Sequence, residues 1–276
     1  MSRQSSLDQR FFEFSDNYEH PDQGVDYIVE NEIFSPSSEF TKSYEDLREA
    51  FNSYLSSSCA CSDNDCTSDS CPHGKNYQLF VHPTTSKTEL VLNPSRNTKE
   101  FLCECSQFCK CPKSCKNRRV QFGPRDDLEI KCCEGKGMGL FTKSFIPAGA
   151  FICEYAGELL TESEARKRDV EPNPMKYLLC LNEISASANK IQTFVDPIRR
   201  GNIGRYLNHS CEPNCEILSV RVDSIIPKLG IFATKDICAG QELTFDYAGG
   251  SAQSLGEKSC LCRSENCRKF LPNTKF

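Results

Sequence analysis

An amide, an imidazole and a thiol occur side by side in one short stretch of this sequence. Residues 205–215 read RYLNHSCEPNC, so that Asn208, His209 and Cys211 lie between an apolar segment and a Pro-Asn turn. Such side chains can bind a cofactor or a metal. A strand that runs into a turn, with a hydrogen-bonded Asn and a buried His, is an equally good interpretation of the stretch alone. The rest of the chain has to decide between the two.

Cysteine is concentrated in two clusters in the N-terminal half. The chain contains 19 Cys, and CACSDNDCTSDSC and CECSQFCKCPKSC together supply nine: Cys59, Cys61, Cys66, Cys71, Cys103, Cys105, Cys109, Cys111 and Cys115. Zinc takes four ligands, so nine thiols form either two four-thiol sites with a spare thiol or one cluster of three ions. In such a cluster, six terminal and three shared thiolates fill the twelve positions of three tetrahedral ions. The C-x-C spacing favours the cluster, because adjacent ions can use both thiols of a pair.

A third group of cysteines lies near the C-terminus. CLCRSENC supplies Cys260, Cys262 and Cys267, which is one ligand fewer than zinc requires. We expect Cys211 to be the fourth ligand and to anchor the C-terminal tail over its neighbours in the opening stretch. The six remaining thiols lie in or next to apolar runs and are expected to be ordinary buried side chains: Cys132, Cys133, Cys153, Cys180, Cys215 and Cys238.

The elements that must position these residues change character along the chain. Residues 57–119 are dense in Cys and poor in apolar residues, so metal must supply the stability that a hydrophobic core cannot. From about residue 126, short β-rich runs separated by Gly, Pro and Asn predict a β-dominated α+β domain. The strongest helix candidate is TESEARKRDV, with Thr161 as cap and Glu164 completing a capping box. SYEDLREAFNSYL predicts a second helix, with Ser43 as cap.

Composition limits the classes of function. The net charge is −5 and the pI about 5.6, with no long basic run, which argues against a sequence-independent grip on nucleic acid and favours a basic ligand. No window approaches the roughly 18 uncharged apolar residues that cross a membrane, and the N-terminus has no apolar signal core. We therefore expect an intracellular protein with reduced or metal-bound thiols, no membrane partner and no direct sequence-specific binding to nucleic acid.

Four further segments complete the pattern: KGMGLF (136–141), EYAGE (154–158), GNIGRYLNHSCEPN (201–214) and ELTFDYAG (242–249). Each is weak alone, because a G-x-G without a following helix is a poor nucleotide fingerprint and a strand Tyr is usually a core residue. In this order, and flanked by the Cys clusters, they strongly resemble the SET-domain protein lysine methyltransferases. The resemblance is to the branch that has cysteine-rich pre-SET and post-SET modules and methylates histone H3 at lysine nine. It covers roughly residues 57–272.

The resemblance implies an architecture. The fold is expected to be an assembly of short β-sheets with a knot-like C-terminal segment, in which cofactor and substrate enter opposite faces and meet in a narrow channel. The implied parts are an N-terminal segment of unknown role (1–56), a pre-SET module with three zinc ions (57–123), a SET catalytic domain (124–250) and a post-SET tail with one zinc ion (251–276). The resemblance therefore favours the three-zinc cluster, and all the zinc is expected to be structural.

The resemblance also implies S-adenosylmethionine as cofactor. We expect it along the turn formed by Gly137, Met138 and Gly139, where the lack of side chains lets the main chain approach the ligand. Members of the family usually have Trp where this chain has Met138. The other cofactor-binding residues that the resemblance implies are Tyr177, Arg205, Asn208, His209 and Leu271.

Three aromatic residues are implied in the substrate channel. Tyr247 matches the catalytic tyrosine, Tyr155 lines the channel, and Phe245 matches a position that is Phe or Tyr in the family. A free lysine has a pKa of about 10.4, and a dry channel beside a sulfonium lowers it, because desolvation and like charge both disfavour the ammonium. Tyr247 is then expected to aim the amine rather than to take its proton. Phe245 leaves room for further methyl groups, so di- or trimethylation is expected.

Together these features predict a nuclear, chromatin-associated histone lysine methyltransferase that acts on the histone H3 tail or the nucleosome. Two alternatives remain at this point: a methyltransferase for a non-histone lysine, and a catalytically silent zinc scaffold that binds chromatin. The pockets that select a peptide are not visible in the sequence, so the first alternative stays open. Intact Tyr247, Asn208 and His209 argue against the second.

Overall fold

Short strands dominate the fold. The computed structural model describes residues 16–36, 41–55, 58–61, 66, 71–74, 76–96, 101–170, 177–184, 190–249 and 255–273. The strands are β1 (Asp26–Tyr27), β2 (Glu32–Ile33), β3 (Tyr77–Val81), β4 (Thr88–Leu92), β5 (Leu102–Cys103), β6 (Leu128–Cys133), β7 (Gly137–Thr142), β8 (Phe151–Glu154), β9 (Gly157–Leu160), β10 (Leu179–Ile184), β11 (Lys190–Gly201), β12 (Asn208–His209), β13 (Cys215–Arg221), β14 (Lys228–Ala233), β15 (Glu242–Phe245), β16 (Leu255–Ser259) and β17 (Phe270–Pro272). The described helices are α1 (Lys42–Phe51) and α2 (Glu162–Val170), with 3₁₀ turns at Val120–Phe122 and Ile203–Tyr206. The β-dominated α+β prediction is confirmed.

The strands form three small sheets and two hairpins. One sheet has the order β1-β11-β9-β2 with β10 also paired to β11, the second has the order β12-β15-β7-β6, and the third has the order β5-β13-β14-β8. The hairpins are β3-β4 and β16-β17. The short strands β1 and β2 pair in parallel with β11 and β9. Residues from the N-terminal segment therefore extend a sheet that is otherwise built from later parts of the chain.

The hydrophobic core lies where the sheets meet. Its fully buried members come from many of the strands and include Leu140, Ile152, Val195, Leu207, Ile231 and Leu243. The β8 run FICE is buried on both faces, which explains why it is continuously apolar up to its last residue. In the part of the chain that is described, neither helix combines the length and the apolar character needed to cross a membrane.

Helix α1 begins two residues earlier than its sequence predicts. Thr41 is the cap, since its Oγ1 accepts a hydrogen bond from the Tyr44 N–H at 3.3 Å. Ser43, the predicted cap, lies inside the helix. Both hydroxyl residues are good N-caps, and the chain adopts the extended backbone that a cap needs at Thr41.

Helix α2 has the predicted cap and a buried cation. The Glu164 N–H donates to Thr161 Oγ1 at 3.3 Å, which confirms Thr161. Arg168 is 8% exposed and its Nη1 donates at 2.7 Å to Glu158 on β9 and to Asp196 on β11. Because a buried charge requires paired, hydrogen-bonded partners, this ion triad fixes α2 against the first sheet.

The six thiols predicted to be ordinary buried side chains divide into three groups. Cys133, Cys153 and Cys215 are buried, Cys180 is half-buried, and Cys132 and Cys238 are exposed. The prediction is therefore wrong for the exposed pair. Successive side chains of a strand point to opposite faces, so on β6 burial of Cys133 leaves Cys132 in solvent.

Candidate active site

One sheet brings three of the four motif segments together. In the order β12-β15-β7-β6, β15 pairs in parallel with β12 on one side and antiparallel with β7 on the other. The register places Asn208 beside Thr244 and His209 beside Phe245. The NHSC, ELTFDY and GMG segments, distant in sequence, thus meet within three adjacent strands.

The amide of Asn208 has a fixed orientation. Its Nδ2 donates to the Met138 carbonyl oxygen at 3.2 Å and to Glu242 Oε1 at 2.8 Å. The other carboxylate oxygen of Glu242 pairs with the Lys136 ammonium. Sequence reasoning did not single out Glu242 or Lys136, although both lie inside the quoted motif segments, at the start of ELTFDYAG and of KGMGLF.

Gly139 is required by the packing of the protein itself. A Cβ at this position would lie 2.5 Å from Cys133 Sγ, 3.0 Å from Glu242 Oε1 and 3.1 Å from Asn208 Nδ2. The expectation was that the missing side chain gives a ligand access to the main chain, whereas in the structure it makes room for the Asn208 amide. Gly137 is the more exposed glycine, and its φ of 83° lies in the left-handed region that favours glycine.

Burial also perturbs the thiol that packs on Gly139. Desolvation, with the Glu242 carboxylate nearby, raises the pKa of Cys133 to about 11. The thiol therefore stays neutral at physiological pH and acts as packing.

Tyr177 and Arg205 form a cation–π pair beside this sheet. The Arg205 guanidinium lies 4.5 Å from the Tyr177 ring centroid, and its Nε donates to the Pro197 carbonyl oxygen at 3.0 Å. Arg205 is buried and Tyr177 is half-buried. The half-buried Leu271 lies on β17, the last strand of the tail. An aromatic ring can stack on a base, and a guanidinium, an amide and main-chain groups can form hydrogen bonds. Together these groups suit a nucleoside with an amino-acid moiety.

Three aromatic side chains cluster at the end of β15. The ring centroid of Phe245 is 4.8 Å from that of Tyr247 and 6.1 Å from that of Tyr155. The Tyr247 hydroxyl donates to the Leu207 carbonyl oxygen at 3.1 Å, and the Tyr155 hydroxyl donates to the Tyr177 carbonyl oxygen at 2.5 Å. Burial raises the pKa of both tyrosines above the ordinary value, so both hydroxyls stay protonated.

His209 connects the aromatic cluster to the tail. Its Nδ1 accepts the Tyr247 N–H at 3.2 Å, and its Nε2 lies 3.4 Å from Cys211 Sγ. Accepting at Nδ1 places the proton of the neutral ring on Nε2, facing the sulfur. Desolvation lowers the pKa of His209, although the Asp246 carboxylate opposes this shift, so the neutral ring is favoured.

The four tail thiols lie together. The Sγ atoms of Cys211, Cys260, Cys262 and Cys267 are all within 4.8 Å of one another. Cys211 and Cys260 are 3.8 Å apart, which matches the separation of about 3.8 Å expected for two sulfurs on one tetrahedral zinc with Zn–S of about 2.3 Å. These residues can hold a zinc ion, and the hairpin β16-β17 that carries Leu271 brackets the last three of them.

Comparison with known proteins identifies the family. A model of the SET domain matches residues 137–248. The chain is 49% identical over 181 residues to the probable histone-lysine N-methyltransferase set-23 of Caenorhabditis elegans. The aligned region covers 63% of this chain and 74% of that protein. This chain belongs to the SET-domain histone-lysine methyltransferases.

Solved SET structures agree over nearly the whole chain. The methyltransferase domain of human histone-lysine N-methyltransferase SETMAR has a TM-score of 0.71 and 32% identity, covering 94% of this chain and 92% of that one. KRYPTONITE in complex with mCHH DNA, an H3(1-15) peptide and SAH has a TM-score of 0.63 and 26% identity, covering 91% and 48%. This SET-domain methyltransferase is S-adenosylmethionine-dependent, as the sequence predicts.

The pre-SET cysteines of this methyltransferase also lie close together, except that His73 is found among them and Cys103 is not. Donor atoms within 4.8 Å of one another form three overlapping groups: Cys59, His73, Cys105 and Cys109; Cys59, Cys66, Cys105 and Cys111; and Cys59, Cys61, Cys66 and Cys71. Cys115 joins them, with its Sγ 3.9 Å from Cys105 Sγ. The overlap agrees with ions that share thiolates, and the clusters can hold zinc.

Cys103, expected as the ninth thiol ligand, lies in none of these groups. Pairing of β5 with β13 holds residue 103 beside Arg221 at the edge of the third sheet, and the packed cluster of thiols among the described residues does not include it. The geometry therefore does not support Cys103 as a ligand. His73, which the sequence reasoning passed over, occupies a ligand-like position, and the signal for it was its Cys-x-His spacing from Cys71.

Proposed function

We propose that this SET-domain enzyme methylates the histone H3 tail at lysine nine, in the nucleus and in association with chromatin. The observation that carries lysine methylation is the aromatic cluster of Tyr155, Phe245 and Tyr247 beside the Asn208–His209 strand. Two further points support the H3 tail. The related KRYPTONITE binds an H3(1-15) peptide, a segment that includes lysine nine, and the net charge of −5 suits a basic ligand.

The cofactor site is proposed at the edge of the second sheet. When bound, S-adenosylmethionine supplies an electrophilic methyl group. The main chain at Gly137, Met138 and Gly139 and the oriented amide of Asn208 would hold it, with His209 fixing the neighbouring strand. Tyr177 with Arg205 would flank it, and Leu271 would cover it from the tail.

Tyr247 is proposed to position the substrate amine. Its hydroxyl is fixed by donation to the Leu207 carbonyl oxygen, so its oxygen lone pairs remain the acceptors for the incoming amine. Tyr155 and Phe245 complete an apolar lining, and such a lining favours the neutral amine by desolvation. The raised tyrosine pKa values make a tyrosinate base unavailable, so the amine loses its proton to water before the transfer.

The proposed boundaries are an N-terminal segment (1–56), a pre-SET zinc module (57–123), a SET catalytic domain (124–250) and a post-SET tail (251–276). The described part of the N-terminal segment supports a structural role for it, because β1 and β2 add strands to the sheet that carries β9 and β11.

Radiolabelled methyl transfer tests the proposal. The full chain is incubated with labelled S-adenosylmethionine and each core histone separately. It is then incubated with an H3 tail peptide and with the same peptide in which lysine nine is replaced by arginine. Label on H3 that is lost with the substituted peptide is the expected result. Equal labelling of both peptides would retain lysine methylation and overturn lysine nine.

The Tyr247→Phe variant is the internal control for the chemistry. Removal of the positioning hydroxyl is expected to lower kcat by about 10²-fold, the scale of a misplaced reacting group. The lost hydrogen bond costs only about 1 kcal/mol of stability, so circular dichroism should show an unchanged fold. Unchanged turnover would contradict the role of Tyr247, whichever histone is labelled.

A further inference from the structure

His73 lies among sulfur atoms at nearly equal distances. The side chain is buried, at 6% exposure, and its Nδ1 is 3.7 Å from Cys105 Sγ and 3.9 Å from both Cys71 Sγ and Cys109 Sγ. An imidazole that merely donated a hydrogen bond to one thiol would lie closer to that sulfur than to the others. The arrangement is instead that of one metal-ligand atom among several that surround common metal ions.

These separations match tetrahedral zinc. With Zn–S of about 2.3 Å and Zn–N of 2.0–2.1 Å, two ligand atoms on one ion lie about 3.6 Å apart for sulfur and nitrogen and about 3.8 Å apart for two sulfurs. The shortest His73–sulfur distance is 3.7 Å, and the sulfur pairs Cys59–Cys66 and Cys105–Cys115 are separated by 3.7 and 3.9 Å.

A local turn directs His73 towards the thiols. The Gly74 N–H donates to the Cys71 carbonyl oxygen at 3.0 Å, and Gly74 has a φ of 69° that favours glycine. Asn76 Nδ2 donates to the His73 carbonyl oxygen at 2.9 Å. The resulting Cys71-x-His73 spacing equals the Cys-x-Cys spacing of the other ligand pairs.

Cys103 has the surroundings of an ordinary thiol. Its carbonyl oxygen accepts hydrogen bonds from the Asn76 and Asn117 amides at 2.6 and 3.2 Å, and its side chain lies near Arg221. Among the described residues, none of the groups that could hold a metal ion includes its Sγ.

We propose that His73 is the ninth ligand of a three-zinc pre-SET cluster and that Cys103 is not a ligand. A neutral imidazole nitrogen has one lone pair, so His73 binds a single ion and all shared ligands must be thiolates. Three thiols occur in more than one of the observed groups: Cys59, Cys66 and Cys105. Six terminal ligands remain: Cys61, Cys71, His73, Cys109, Cys111 and Cys115.

The ligand sets of the three ions follow from this count. One ion takes Cys59, Cys66, Cys61 and Cys71; the second takes Cys59, Cys105, His73 and Cys109; the third takes Cys66, Cys105, Cys111 and Cys115. Each ion has two shared and two terminal ligands. Without His73 the eight thiols would instead suit two separate four-thiol sites, so the two arrangements differ by one zinc ion.

Native mass spectrometry of the full chain counts the zinc. The proposal predicts four ions per chain, three in the cluster and one in the tail, and the same four in His73→Cys and in Cys103→Ser. His73→Ala should lose one ion. Three ions in the unsubstituted chain, loss of an ion in Cys103→Ser, or four tightly held ions in His73→Ala would each overturn the proposal.

A second measurement needs no substitution and stands even if His73→Ala fails to fold. The chain is produced with ¹⁵N-labelled histidine and loaded with ¹¹³Cd in place of zinc. One cadmium resonance should be split by coupling to a histidine ring nitrogen and should lose that splitting in His73→Cys. A folded, cadmium-loaded chain without the coupling would overturn the proposal.

Discussion

At the scale of single residues, His209 connects the proposed substrate channel to the tail thiols. One ring nitrogen accepts the Tyr247 N–H, and the other lies 3.4 Å from the sulfur of Cys211. Glu242 has a comparable role at the proposed cofactor site, because it holds the Asn208 amide at 2.8 Å. Both residues act by holding a neighbour in place, and the geometry of the site depends on such fixed contacts.

Phe245 is expected to set the number of methyl groups. Its ring packs 4.8 Å from that of Tyr247, and a hydroxyl added at this position would take up room that a methylated amine needs. Phe245→Tyr should therefore stop at monomethyllysine, whereas the unsubstituted enzyme should reach di- or trimethyllysine. Mass spectrometry of the product peptide under excess cofactor measures the distribution. A native enzyme that stops at one methyl group would contradict this role.

The pH dependence of turnover is also a residue-scale property. Burial raises the pKa of Tyr155 and Tyr247, so their hydroxyls stay neutral while the substrate amine loses its proton. Turnover should rise between about pH 7 and 9.5 without a falling limb, measured as initial rates. Above about pH 10 the unfolded chain, with ordinary tyrosine pKa values, releases protons that the folded chain keeps, so stability falls there. A decline in turnover below pH 9 with the fold intact would contradict neutral tyrosines.

At the scale of elements, the sheet β12-β15-β7-β6 assembles the site. Its register places the Asn208–His209 strand beside Thr244 and Phe245, and β7 supplies the glycine that lets the strands approach closely. Helix α2 is fixed to another sheet by the buried Arg168 triad. Asn208, His209 and Phe245 therefore lie on paired strands, which suits precise positioning, and Tyr247 follows β15 directly.

Gly139→Ala tests the close approach of the strands. The new Cβ would meet Cys133 Sγ at 2.5 Å and the Asn208 amide at 3.1 Å. Such overpacking should lower the free energy of unfolding by about 1–3 kcal/mol and weaken cofactor binding by displacing Asn208. Urea denaturation and a cofactor titration measure the two effects. Adding Cys133→Ala removes the tightest contact and should restore part of the stability; an unaffected single variant would contradict the packing argument.

At the scale of the whole molecule, metal-binding modules flank the catalytic sheets. The pre-SET cluster supplies a buried interior of thiols where apolar side chains are scarce, and the tail thiols converge on Cys211, within the catalytic segment. Metal binding in such modules is coupled to folding. Removal of zinc should therefore abolish methyl transfer by loosening structure, with no metal at the reacting methyl group.

The Cys267→Ser variant tests the zinc site of the tail without changing the pre-SET cluster. The variant should lose one zinc ion and bind cofactor about tenfold or more weakly, since freeing the tail exposes Leu271, whose burial contributes roughly 1.5 kcal/mol. Native mass spectrometry and calorimetric titration measure these effects. Cys238→Ser, which changes an exposed thiol outside the clusters, is the matched control. Full cofactor affinity in Cys267→Ser would contradict a covering role for the tail.

Local patterns in the sequence were sufficient to predict several features of this protein. The Cys clusters, the Thr161 cap and the short β-rich runs depend on neighbours in the sequence, so the fold class could be predicted from them. The cofactor and the chemistry were implied by the resemblance that the motif segments have to the SET family. Only the tertiary structure decided that His73 rather than Cys103 lies among the thiols, that Glu242 orients Asn208, and that the N-terminal segment adds strands to a sheet. The reason is geometric: a residue type and its spacing fix which ligands are available, whereas the paths of distant strands and turns fix which atoms reach a common centre.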